Sequence, residues 1–166
     1  DDLRSCCAAV VAAAGRLAGP ASEADLLFVG RSPESLFDYL RGLCRGTAWA
    51  GRLHVLHFSM RGDVTARHVR RAHPAGLAAL RGYFAALGLD PASLVARPRP
   101  AVFVDLVCNG ETFDNLVRLL RGWCVERGAC WHAARRNVRL VGLTEREPKG
   151  PGGRRWHRQN RPSAHM

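Results

Sequence analysis

AVFVDLVCNGETFDNLVRLL, residues 101–120, passes without a break from an apolar run into a segment whose apolar residues recur at helical spacing. The first part reads as a buried strand and the second as a helix. Between them stand a single acid, Asp105, and a small polar loop of Cys108, Asn109, Gly110, Glu111 and Thr112. A strand-end carboxylate can accept hydrogen bonds from vicinal hydroxyls, ligate a metal or act as a base. The loop places backbone N–H groups at the positive end of a helix, where a phosphate is held. The same residues also make an ordinary turn, with Asn109 or Thr112 capping the helix and Glu111 in its favourable first turn.

The same alternation extends to both sides. DLLFVG, residues 25–30, is a short apolar run closed by glycine, and RLHVLHFS, residues 52–59, is another; NVRLVGLT, residues 137–144, is the last. Residues 26–30, 53–58, 102–107 and 138–143 are therefore expected as neighbouring strands of one mainly parallel sheet. Between them lie helical patterns. Residues 3–18 form one, stopped near Gly19 and Pro20; SPESLFDYLRGLC follows, with Ser32 as N-cap and Pro33 at the first helical position. Pro74 opens the next helix and Gly88 closes it, and residues 90–100, with three prolines, read as a connector. Strands alternating with helices predict an α/β fold of three layers, with helices on both faces of the sheet. Residues 1–144 are expected to form one domain, and residues 145–166 a basic tail or lid rich in glycine, proline and arginine.

Composition bounds the partners. The formal charge is +11, but 24 of the 25 cations are arginine, and alanine and glycine are abundant too, so genome composition accounts for much of the excess. The cations are nevertheless uneven: residues 61–73 hold four arginines and two histidines against one acid, and residues 146–166 hold six cations against one acid. Those are the places where an anion would be met. The apolar stretch CCAAVVAAAGRLAG near the start is too short and too interrupted for a membrane span, and is expected as a helix rather than an anchor or signal. Six cysteines without a CxxC pair or zinc spacing are expected as reduced thiols, which suits a cytoplasmic protein.

VFVDLVCNGETF resembles the signature of the type I phosphoribosyltransferases, a hydrophobic strand followed by acids and a small-residue loop that holds phosphoribosyl pyrophosphate. The resemblance implies that Asp105 holds the ribose hydroxyls or a magnesium ion, and that Cys108, Asn109, Gly110, Glu111 and Thr112 cradle the 5-phosphate. Leu106 stands where the family has a second acid, and the loop is one residue shorter. FVGRSPESLFDYL, residues 28–40, is similar to the family's pyrophosphate loop, which gives Gly30, Arg31 and Ser32 the pyrophosphate. Arg31 and Asp105 should then open on the same sheet edge. Arg61 falls where the family has a mobile basic loop, and Trp156 where it has a hood that contacts the base.

The resemblance thus implies a phosphoribosyltransferase-like fold, glycosyl transfer or cleavage at the anomeric carbon, and a phosphorylated ribose or nucleotide as ligand. Two alternatives stand beside it: a domain that senses nucleotides without catalysis, and a nucleic-acid-binding protein that uses the basic loop and tail, with Trp156 stacking on bases.

Overall fold

The computed structural model describes residues 2–18, 24–60, 69, 71–108 and 110–144. Helix α1 spans Asp2–Ala18, β1 Asp25–Val29, α2 Glu34–Leu43 and β2 Leu53–Leu56. Helices α3, Pro74–Ala86, and α4, Pro91–Ala96, precede β3, Ala101–Leu106. They are followed by α5, Glu111–Glu126, the single-turn α6, Trp131–Ala134, and β4, Val138–Leu143. The expected α/β class holds: the four strands form one all-parallel sheet in the order β2-β1-β3-β4. Leu26 pairs with Leu53 on one side of β1 and with Val102 on the other, and Val104 pairs with Val141 across β3 and β4.

The chain divides into two compact units. The first holds the sheet with α1 and α2. Strand periodicity sends Leu26 and Phe28 of β1, Val102 and Val104 of β3 and Val141 of β4 to one face, where Cys7, Val10 and Ala14 of α1 and Leu36, Phe37 and Leu40 of α2 complete a core. Phe28 and Phe37 meet edge to face, 5.7 Å between centroids. Fully burying a side chain of that size contributes roughly 1.5–3 kcal/mol. On the opposite face Leu27, Val29 and Phe103 are buried as well, so the strands read as continuous apolar runs for the reason that parallel sheets require.

The second unit holds α3 to α6. Its longest helix, α5, buries Phe113, Leu116, Leu119, Leu120 and Trp123, a stripe at three- and four-residue spacing. Pro74 occupies the first turn of α3 as expected, and Gly88 follows its end in the left-handed region, φ +65°. The Arg97 guanidinium donates to the carbonyl of Gly88 at 2.8 Å and fastens that end to the segment behind α4.

Four local expectations are corrected. Ser32 does not cap α2: the N-cap is Pro33, without a side-chain bond, because Arg31 C=O accepts from Glu34 N–H and makes a turn before the helix begins. Thr112 does not cap α5 either; Gly110 does, at φ +83°, and Thr112 lies inside the first turn. The three-proline connector contains α4, since Asp90 accepts from the amides of Ala92 and Ser93 at 3.1 Å each while Pro91 starts the helix. The second strand also stops early: Phe58 N–H turns back onto Leu56 C=O at 2.7 Å, in a tight turn. Residues 145–166, the expected tail, lie outside the described residues.

Candidate functional site

The strand order is the first determinant of the site. From β1 the chain moves to β2 on one side, then returns to place β3 on the other, so the order reverses between β1 and β3. In open parallel sheets the crevice at such a switch, outside the carboxyl ends, is where ligands bind. Gly30, Arg31 and Ser32 follow β1 at that edge, and Asp105 is the penultimate residue of β3 at the same edge. Phe28 pairs with Val104, so the two strands arrive there in step. Arg31 and Asp105 thus leave adjacent strands by one edge, as the sequence predicts.

Asp105 is 8% exposed and, with Asn115, one of two buried polar residues among the described residues. Alternation along β3 turns it to the face of Phe103, away from Val104. Burial pushes its carboxyl up to about 6 from the ordinary 3.8, against the opposing influence of the Leu106 backbone N–H. Among the described residues no cation pairs with it. Leu106, at the position of the family's second acid, falls by the same alternation on the Val104 face and is 49% exposed.

The turn after β1 is built tightly. Gly30 has φ +74°, and its N–H donates to Leu56 C=O at 2.8 Å. A Cβ there would stand 3.3 Å from the Phe58 carbonyl oxygen. The close approach that glycine allows is therefore to the chain's own backbone, and the Gly30 amide is already committed. What the turn presents outward is the Arg31 and Ser32 side chains, both exposed. A guanidinium fork matches phosphate oxygens in geometry as well as charge.

Cys108 is exposed just beyond β3. Gly110, Glu111 and Thr112 belong to the second unit, where Gly110 adopts the left-handed conformation that starts α5 and Asp114 N–H bonds to its carbonyl at 3.1 Å. Asn109, Arg61 and Trp156 lie outside the described residues, and so does most of the basic loop.

Sequence reasoning passed over Asn115, which is 1% exposed and donates from Nδ2 to Met60 C=O at 3.1 Å, tying the segment after β2 to α5. The signal was there: Asn115 sits four residues before Leu119 and eight before Trp123, on the stripe that α5 buries.

Neither family models, nor curated proteins, nor solved structures give a match to this chain. Among the described residues no helix is long and apolar enough to cross a membrane, and no three histidine, cysteine or acidic side chains converge as a metal cage. The six cysteines are free thiols; Cys124 is fully buried, and burial pushes its thiol up to about 11.

Magnesium is commonly held by one or two carboxylates, with waters and substrate phosphates completing its octahedron. Asp105, a desolvated carboxylate with no cation among the described residues, fits the part of one such ligand. It fits an ion that arrives with a phosphorylated ligand rather than one held by protein groups alone.

Proposed function

We propose that this chain binds a phosphorylated ribose, either phosphoribosyl pyrophosphate or a nucleotide, at the carboxyl edge between β1 and β3, and acts at its anomeric carbon. The observation that carries the reading is the placement of a buried carboxylate, without a cation among the described residues, and an exposed arginine turn on neighbouring strands at the point where the strand order reverses. A desolvated charge costs stability in the free protein, and groups kept in that state are found chiefly where a ligand completes them.

Each residue then has a definite part. Asp105 accepts hydrogen bonds from ribose hydroxyls and fixes the sugar relative to the sheet. Arg31 neutralises phosphate oxygens as they take the electron pair of the breaking bond at the anomeric carbon, and Ser32 adds a hydroxyl donor beside it. Gly110, Glu111 and Thr112, with Asn109 and Cys108, are assigned the 5-phosphate by the likeness of VFVDLVCNGETF to the phosphoribosyltransferase loop. A bound magnesium ion would supply further charge neutralisation at the pyrophosphate.

Calorimetric titration with phosphoribosyl pyrophosphate and with nucleoside monophosphates, each with and without magnesium, tests the reading. Saturable one-to-one binding that Arg31→Gln weakens by about tenfold, the loss of one charge-assisted phosphate contact, supports it. Absence of saturable binding to either class of ligand rejects it. Release of pyrophosphate in the presence of candidate acceptors separates a transferase from a domain that only senses the ligand.

A further inference from the structure

The second unit carries a groove unrelated to the sheet edge. Leu77, Ala78, Gly82 and Ala85 of α3 form one wall, and Trp123 of α5 and Arg127, which caps its C-terminal end, face them across a cavity of about 410 Å³. That volume lies within the range of small-molecule sites, roughly 300–1,000 Å³. Residues 78, 82 and 85 recur at helical spacing and are all small, so the wall is shallow and apolar. Trp123 and Arg127 also line a neighbouring cavity of about 310 Å³, beside Asp90, Pro91 and Ala129.

Trp123 is 6% exposed, and its indole N–H, which has no acceptor among the described residues, is sealed from solvent, so it offers the groove no donor. The two arginines at the groove differ in kind. Arg81 is neutralised: Nη2 lies 2.7 Å from Glu126 Oε2, and its guanidinium sits 5.4 Å from the centroid of the Trp123 ring. Arg127 is exposed at the rim and has no anionic partner among the described residues. An apolar trough with a cation at its lip that has no anionic partner among the described residues is complementary to a molecule with an apolar body and an anionic oxygen at one end.

We propose that the groove between α3 and α5 binds small apolar carboxylates, the hydrocarbon lying along Ala78, Gly82 and Ala85 and the carboxylate meeting Arg127. The site is independent of the ribose-phosphate reading. The neighbouring cavity is excluded for the anionic end because the Asp90 carboxylate lines it.

Gly82 supplies a direct test, since a Cβ built there meets nothing within 4 Å and its φ lies outside the left-handed region. Leucine at that position fills the groove and favours the helix. The full chain is titrated with phenylacetate and, as the uncharged control, phenylacetamide, following the Trp123 indole N–H resonance, assigned by its loss in Trp123→Phe. The expected result is saturable phenylacetate binding with a dissociation constant on the order of 1 mM, about threefold weaker for the amide. Arg127→Gln brings the acid to the level of the amide, and Gly82→Leu weakens both at least tenfold while thermal stability is kept. Equal affinities for acid and amide, binding that survives Gly82→Leu, or an indole resonance that does not move with ligand would overturn the proposal. Sedimentation showing self-association that Gly82→Leu abolishes would also overturn it, by assigning the groove to a second copy of the chain.

Discussion

Phe28 of β1 and Val104 of β3 are register partners in adjacent parallel strands, and the residues that follow them, the Gly30–Ser32 turn and Asp105, therefore flank one carboxyl edge. The pairing is a backbone fact with a chemical consequence. It places a guanidinium and a buried carboxylate at the switch in strand order, which neither residue could reach through local structure alone.

Gly30→Ala should destabilise the fold by about 1–2 kcal/mol through its left-handed backbone, with a further cost from the 3.3 Å approach to the Phe58 carbonyl oxygen. Chemical denaturation measures it. A variant as stable as the parent would show that the turn relaxes and does not hold Arg31 in a tight geometry.

Asp90 and Asp105 should respond to pH with opposite signs. Burial would raise the Asp90 carboxyl, but bonds from the Ser93 hydroxyl and the amides of Ser93 and Ala92 outweigh it and hold the group below 3.8. Its contribution is present above the unfolded value and is lost as pH falls through the folded one. Asp90→Ala should thus cost about 1 kcal/mol at pH 7 and progressively less as the pH is lowered below 3.8 and the cap is protonated. Urea titrations across that range give the comparison; a cost that stays constant down to the acid limit of folding would remove the ionised cap.

Native-state alkylation followed by mass spectrometry should modify Cys6, Cys108 and Cys130 rapidly and spare Cys7 and Cys124. Cys124 combines complete burial with a thiol held near 11, so its thiolate is scarce as well as inaccessible. Rapid labelling of Cys124 in the folded protein would contradict the packing of α5.

What the sequence made legible follows from the range of the forces involved. DLLFVG, AVFVDLV and NVRLVGLT could be read as strands, and their parallel pairing anticipated, because a sheet buried on both faces needs apolar runs too short for helices and crossovers between them. The caps were harder. Ser32 and Thr112 are good capping residues in isolation, yet the Arg31–Glu34 turn and the left-handed Gly110 start α2 and α5 elsewhere. The Asp90-Pro91 start of α4 was hidden by prolines that looked like a linker. At the site, Asp105 was legible as a lone acid at a strand end. Its desolvation, the commitment of the Gly30 amide to Leu56 and the bond from Asn115 to Met60 depend on contacts between distant parts of the chain, which no local pattern encodes.

Asp105→Asn, measured for stability and for ligand affinity in the same buffers, bears most directly on the ribose-phosphate reading. The Asp105 proton is held more tightly in the folded than in the unfolded chain, so the folded state binds more protons between about pH 4 and 6. The stability linked to it is full below about pH 4 and falls as pH rises through about 6. At pH 7.5 the ionised group is a burden on the free protein, and the isosteric amide should raise stability by about 1–3 kcal/mol. Calorimetric titration of phosphoribosyl pyrophosphate should at the same time show at least a tenfold loss of affinity in magnesium, and a smaller loss without it, because the amide keeps the shape but not the charge. A variant less stable than the parent, with unchanged affinity in both buffers, would contradict the reading and leave Asp105 a structural residue.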